Sequence, residues 1–287
     1  MELLEQLTFL ERGIIAGLLI GFTAPLIGAF LLVRRMTIIS EGLSHVTLTG
    51  ITAGVLMIQT AAWLEWVNPL YTGLLFSLLG SLAIEKLRQV YKHFSELAVP
   101  IILSGGVGVS AVMISIAATS YTEWYNYLFG SIVTVSLNDL FFSLGVGAAA
   151  LLILGLFYKE LLSLSFDSEF AAASGIPARR LNFIFSLLIA LVISMSIMIV
   201  GILLVGALIT LPVAAAVLFA KSFRQVMILG ILFGEAAVIG GIISSYYLNV
   251  ATGGMIVLTG VILLAGAVLV RRLMDIFSSS RKEESTA

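Results

Sequence analysis

Between Leu181 and Ala220 the chain runs for 40 residues without an Asp, Glu, Lys or Arg. One helical crossing of a bilayer takes about 20 apolar residues, so this run holds two crossings joined by a tight turn near Gly201. Arg179 and Arg180 precede it and Lys221 and Arg224 follow it, which puts both of its ends on the same side of the membrane. Pro212 is expected to kink or interrupt the second crossing. Continuous runs of this kind exclude a β-barrel, whose strands alternate over ~10 residues. Charged residues make up 11% of the 287 and apolar ones 60%, whereas soluble domains carry about 25% charged residues. The fold class is therefore an all-α polytopic membrane protein.

Further apolar segments cover Gly13–Val33, Gly42–Ala62, Pro69–Ala83, Leu97–Ala117, Leu140–Tyr158, Val226–Leu248 and Met255–Val270. Eight or nine spans follow. With Arg34 cytoplasmic, 14 of the 15 Lys and Arg fall on that side and Arg12 alone lies outside, so the N-terminus is expected outside and the C-terminus in the cytoplasm. Glu2, Glu5 and Glu11 precede the first segment; a cleavable signal needs a basic start, so this segment is read as a retained span. Residues 1–272 form one transmembrane domain, and 273–287 a short polar tail, disordered from Ser278. Gly13, Gly17 and Gly21 repeat at the spacing that lets helices approach closely, for packing within the chain or, as the alternative, a subunit contact. Trp63 and Trp66 mark a membrane–water boundary. The stretch Ser120–Asp139 reads as an exterior loop with a short interfacial or re-entrant helix, and Asn138 or Asp139 as the cap of the following span. With no cysteine, disulfides and thiolate metal sites are excluded.

The chemistry concentrates in Ile39-Ser40-Glu41-Gly42-Leu43-Ser44-His45-Val46-Thr47-Leu48-Thr49-Gly50. Glu41 and His45 are four apart and share a helix face, and Thr49 and Thr52 continue the stripe. Ionisable groups in lipid are costly, so the stripe marks a pathway or a packed interface. Carboxylate with imidazole is a donor pair for Zn²⁺ or Mn²⁺, although a Glu–His hydrogen bond fastening helices explains the spacing equally well. Two side chains do not close a coordination shell, and a weak site suits an ion that must leave again. Glu235 lies mid-span and must face protein or a cavity, with Ser244 or another hydroxyl as its partner or, as the alternative, a place with Thr49 and Thr52 along the transport path. His93, among loop residues, reads as solvated. Ser104-Gly105-Gly106-Val107-Gly108 lacks a following Gly-Lys-Ser/Thr and reads as helix packing, not a phosphate loop. In the polar interruption 159–180, Asp167-Ser168-Glu169 opens an Ala-rich helical turn that Gly175 and Pro177 end. A secondary transporter using Glu41, His45 and Glu235 would show two related halves, and no internal repeat is visible. An intramembrane metalloprotease would need His-Glu-x-x-His, which is absent.

Taken together, Ser40–Gly50, Tyr127-Leu128-Phe129-Gly130-Ser131, Lys159-Glu160-Leu161 through Phe166-Asp167, Gly175-Ile176-Pro177, Val200–Leu208 and Leu211–Ala216 resemble, in order, the membrane subunit of bacterial ABC importers for zinc and manganese. The resemblance implies a type II-like permease in the cytoplasmic membrane, working as a homodimer on a separate ATP-binding subunit. A metal-loaded extracellular binding protein would deliver the ion. The metal is cargo; no resident cofactor and no nucleic acid are implied. The family's acidic residue and histidine map onto Glu41 and His45, with Glu where the family often has Asp. The element engaging the ATPase maps onto about 165–175, with Glu160, Asp167, Glu169 and Gly175 as its coupling residues. The phrasing around His45 is closer to the zinc members, with manganese as the alternative. In keeping with a passive subunit, the chain carries no Gly-x-x-x-x-Gly-Lys-Ser/Thr.

Overall fold

The computed structural model describes residues 8–61, 68–117, 121–132 and 135–284. Twelve α-helices follow one another: α1 Phe9–Val33, α2 Ile38–Thr60, α3 Pro69–Tyr91, α4 Ala98–Ile116, α5 Tyr121–Phe129, α6 Leu137–Leu156, α7 Tyr158–Phe166, α8 Ser168–Ala173, α9 Ala178–Val200, α10 Val205–Val217, α11 Phe223–Leu248 and α12 Thr252–Glu284. A 3-10 turn, Lys92–Leu97, joins α3 to α4. Among the described residues eight helices are long and apolar enough to cross a membrane. The second limb of the 181–220 run is a 13-residue helix, α10. At 1.5 Å per residue it reaches about 20 Å, short of the ~30 Å hydrocarbon core. Pro212 lies inside this helix without ending it.

The centre of the bundle is α1 with α9 and α10. Helix α1 is glycine-rich on the faces that meet neighbours, and its backbone approaches them closely. Gly17 lies against Val238 and Ile242 of α11, while a Cβ on Gly28 would sit 2.0 Å from the Ile209 carbonyl of α10. The four-residue glycine spacing therefore serves packing within the chain, as expected. By contrast α4 and α12 are mostly exposed along their apolar lengths, the surface a bilayer solvates.

Local sequence sets the helix ends. Helix α6 begins with a capping box in which Ser136 Oγ accepts from the Asp139 amide at 3.2 Å and Asp139 Oδ2 accepts from the Ser136 amide at 3.0 Å. The cap is thus Ser136, not Asn138 or Asp139: Asp139 is the third helical residue and reaches back. The polar tail read from Ser278 is helical through Glu284, because α12 continues past Arg271 and Arg272 without a break. Trp63 and Trp66 lie outside the described residues.

Helix α1 ends in a paired turn, with Met36 N–H bonded to the Leu31 carbonyl at 2.9 Å and Arg35 N–H to that of Leu32 at 3.0 Å. This Schellman geometry puts Arg35 at φ +55°. Glycine is relaxed there, and any other L-residue costs roughly 1 kcal/mol. Gly130 (φ +74°) and Gly201 (φ +83°) allow a second close junction. The α9–α10 connection docks on the end of α5 through Ile202 N–H to Tyr127 O, 3.0 Å, and Leu203 N–H to Leu128 O, 3.3 Å.

Candidate metal site and its mechanical connections

Glu41 is in the first turn of α2 and His45 one turn on. His45 Nε2 and Glu41 Oε1 are 3.7 Å apart, too far for a hydrogen bond. Two donors each 2.0–2.2 Å from one ion can be as much as ~4 Å apart, so an ion fits between them. The His45 side chain is 15% exposed and that of Glu41 44%. Among the described residues no third His, Cys, Asp or Glu joins them, so the chain on its own offers two donors.

Two glycines give the pair its setting. A Cβ on Gly206, in the first turn of α10, would fall 2.6 Å from Glu41 Oε2 and 3.5 Å from Ser40 Oγ. The carboxylate therefore occupies the space a side chain there would take, beside a helix N-terminus whose dipole favours negative charge. Gly106 of α4 lies against the His45 backbone, its would-be Cβ 3.1 Å from the His45 carbonyl carbon and the Val46 nitrogen. Residue patterning alone passed over Gly206; its signal was a glycine just inside the helix that follows Gly201. In the Gly-rich run of α4 only Gly106 packs, since Gly105 and Gly108 have nothing within 4 Å of a would-be Cβ.

The rest of the polar stripe is engaged elsewhere. Thr49 Oγ1 donates to the Gly106 carbonyl at 2.9 Å and approaches the His45 carbonyl at 3.1 Å. Thr52 Oγ1 donates to the Thr49 carbonyl at 2.9 Å. Both residues are buried; Thr49 ties α2 to α4 through Gly106, and Thr52 Oγ1 also lies 3.5 Å from Met113 Sδ of α4. Glu235 is not brought to the pair: its carboxyl lies 3.3 Å from a would-be Cβ on Gly21 of α1. Its Oε2 is buried with no hydrogen-bond partner among the described residues. The expected bond to Ser244 is not made, because Ser244 Oγ donates to its own helix at Gly240 O, 2.7 Å. His93 is exposed.

The segment 159–180 folds as anticipated, with Asp167 capping α8. Its Oδ1 accepts from the amides of Glu169 (3.0 Å) and Phe170 (2.8 Å). Gly175 ends the turn at φ +80°. Leu161, Leu164 and Ala171 are buried beneath, while Asp167, Glu169 and Gly175 are exposed and Glu160 is half-buried. Two phenylalanines that patterning did not single out, Phe166 and Phe170, are 63% and 64% exposed.

This element connects to the start of α2 through Arg34. Its Nε donates to Ser165 Oγ (2.8 Å) and its Nη1 to Asn182 Oδ1 (3.1 Å). Its guanidinium stacks 4.1 Å over the Phe185 ring. Burial, helped by the nearby Arg88 charge, pushes its pKa down to about 10, so it remains a cation at neutral pH. Phe30 packs edge-on to Phe223 and Tyr158, and Phe223 in turn meets Phe166. Arg34 and these rings thus join α1, α7, α9 and α11 at the end of the bundle where α2 begins.

The profile described as "ABC 3 transport family" matches residues 6–271. The chain is 33% identical over 259 residues to a "Probable metal transport system membrane protein" of Treponema pallidum, covering 90% of this chain and 94% of that one. It is 30% identical over 260 residues to the manganese import system permease protein ScaB of Streptococcus gordonii, covering 91% and 90%. Among solved structures it resembles PsaBC from Streptococcus pneumoniae in complex with Fab, with a TM-score of 0.78, 29% identity and 92% of each chain covered. A putative metal-chelate type ABC transporter in an inward-facing conformation shares the fold at 17% identity, with a TM-score of 0.72 and 90% and 85% covered.

Proposed function

We propose that this chain, which belongs to the ABC 3 transport family, carries Mn²⁺ and that Glu41 and His45 are its ligands on the way. The family places it as the multi-pass permease of a metal importer in the cytoplasmic membrane, with ATP hydrolysis on a separate subunit. The observation that carries the ligand assignment is the pair itself: a carboxylate and an imidazole 3.7 Å apart, with Glu41 set against Gly206. Manganese rather than zinc is favoured by relatives named for manganese, the ScaB and MntC permeases. That moves the weight from the zinc reading of the sequence to its alternative. The chemistry agrees, since a hard carboxylate beside one imidazole suits Mn²⁺, whose intrinsic affinity is low enough to allow release.

A second copy of the chain, meeting the first across the half-exposed Glu41, supplies a second carboxylate and imidazole. An extracellular binding protein delivers the ion, and the ATP-binding subunit grips the exposed rim of α7 and α8 from the cytoplasm. Its stroke reaches α2 through Ser165, Arg34 and the α1–α2 turn. Binding requires neutral imidazole and ionised carboxylate, so occupancy falls as the medium is acidified.

The test is uptake by the permease reconstituted with its ATP-binding subunit and binding protein, with Mn²⁺ and Zn²⁺ in competition. Glu41→Ala and His45→Ala are expected to assemble normally and abolish uptake. Normal transport by both variants removes the ligand assignment, preferred Zn²⁺ uptake removes the metal assignment, and ATP-independent uptake by the chain alone removes the importer reading.

A further inference from the structure

Beside the α1–α2 turn lies a cavity of about 210 Å³ whose lining includes Arg35, Ile38, Arg88, Ser95, Glu96 and Pro100. It is open to three elements at once: the start of α2, the end of α3 and the turn into α4. Its volume is below the 300–1,000 Å³ of pockets that enclose a whole drug-sized ligand and suits a polar headgroup. None of its residues belongs to the Glu41–His45 pair or to the α7–α8 element.

The cavity is cationic on one side and apolar on the other. Arg35 is exposed, and among the described residues its guanidinium has no hydrogen bond or ion pair. It occupies a left-handed position where glycine would be relaxed; strain of this kind is a pointer to function. Arg88 has Glu85 as a loose partner at 3.8 Å, and its Nη1 is 3.5 Å from Met36 Sδ. Arg34, close enough to repel Arg88, has a buried Nη2 without a partner. Two guanidiniums in the lining, Arg35 and Arg88, against the single carboxylate of Glu96 favour an anion over a metal cation as occupant. On the apolar side Ile38 is 67% exposed at the rim. Phe94, Leu97 and Ile101, neighbours in sequence of the lining residues Ser95, Glu96 and Pro100, are exposed as well.

We propose that this cavity binds the phosphate of an anionic glycerophospholipid with a hydroxyl-bearing headgroup, of which phosphatidylglycerol is the simplest. Arg35 and Arg88 donate paired N–H groups to the phosphate oxygens. Glu96 accepts from a headgroup hydroxyl and Ser95 bonds to another. The acyl chains leave over Ile38 and run down the exposed flank of α4 into the bilayer. Basic pockets between transmembrane helices at the membrane surface bind lipid headgroups in this way. Because Ile38 and Ile39 line the cavity, the bound lipid braces the first turn of α2, which carries Glu41.

The test uses the full chain in complex with its ATP-binding subunit, stripped of lipid and placed in phosphatidylcholine nanodiscs. Dioctanoyl phosphatidylglycerol is then titrated and read by native mass spectrometry. One lipid per chain is expected to bind saturably, at least tenfold more tightly than dioctanoyl phosphatidylcholine. The double variant Arg35→Gln, Arg88→Gln weakens binding at least tenfold. Arg35→Gly relaxes the backbone, so it also weakens binding while leaving thermal stability equal or higher, which separates lost contact from lost fold. Ile38→Ser weakens binding with every charge in place. Millimolar inorganic phosphate does not compete. Wild-type binding by the double variant, equal affinity for the two lipids, or effective competition by phosphate overturns the proposal. So does binding to the free chain that vanishes in the complex, because a protein contact then fills the cavity.

Discussion

Arg34 bonds to Ser165 of α7 and stands seven positions before Glu41, so the proposed coupling runs through it. Arg34→Met keeps an unbranched stem against Phe185 and removes the charge. It loses the bonds to Ser165 at 2.8 Å and Asn182 at 3.1 Å and the stack on Phe185 at 4.1 Å. Hydrogen bonds from a charged donor contribute about 1.5–3 kcal/mol each and an exposed-to-buried cation–π contact about 0.5–2 kcal/mol. Against this, removing a mostly buried guanidinium returns several kcal/mol of desolvation, more so because Nη2 is already unpartnered. Ser165 keeps its donor bond to the Leu161 carbonyl at 2.6 Å, so Asn182 Oδ1 is the group left short. The net loss is expected to be about 2 kcal/mol. An unfolding entropy of roughly 2.1 cal/mol/K per residue gives about 0.6 kcal/mol/K for the whole chain, and hence a fall in Tm of about 3 °C. Thermal unfolding of the purified complex reads that term. Uptake per ATP hydrolysed, in proteoliposomes, reads the mechanical one and is expected to drop severalfold, with metal binding to the Glu41–His45 pair unchanged. Arg34→Lys, which keeps the charge but not the fork, should fall between. Normal coupling with an unshifted Tm in Arg34→Met would refute the reasoning.

Gly206→Ala puts a methyl 2.6 Å from the present position of Glu41 Oε2, so the carboxylate must swing away. Alanine is otherwise the better helix former by about 1 kcal/mol. Metal affinity should therefore weaken by roughly tenfold (about 1.4 kcal/mol) without loss of stability, and isothermal titration giving wild-type affinity would remove Gly206 from the site. In the docking element, Asp167→Arg loses the α8 cap, worth about 1 kcal/mol, and Gly175→Trp forces a bulky residue to φ +80°. Both should lower ATPase coupling while leaving extracellular metal delivery intact, and unchanged ATPase stimulation in both would make the element a plain connector. Glu235→Met removes a buried oxygen with no partner and should raise stability by about 1 kcal/mol or more; a lower Tm would mean that the carboxyl has a structural bond.

The helices themselves were legible because in a bilayer every backbone polar group must be satisfied within its own segment. Apolar length therefore marks each of the eight long helices, although the third and the last run on 8 and 14 residues past their apolar segments and the second limb of the 181–220 run falls short of a crossing. Capping was legible at Asp167, whose side chain accepts from amides two and three residues on. At α6 the cap was misjudged by two to three residues, because Asp139 is the reaching-back member of a capping box whose cap is Ser136; its side chain also accepts from Asn68 Nδ2 at 3.2 Å. The polar stripe on α2 was legible as a face, but not as two jobs. Glu41 and His45 turn to an open side, while Thr49 and Thr52, one and two turns on, are consumed by α4.

What the sequence by itself determined is the eight long helices and the placing of a carboxylate and an imidazole on one helix face. Periodicity along a single helix dictates both. Only the tertiary structure decided that Glu41 rests in the space left by Gly206, that Glu235 is shut against Gly21, and that Arg34 joins the α7 segment to the root of α2. Those are contacts between residues 131 to 214 positions apart. No local pattern records them, since which faces meet is settled by how close the glycine-lined backbones can come.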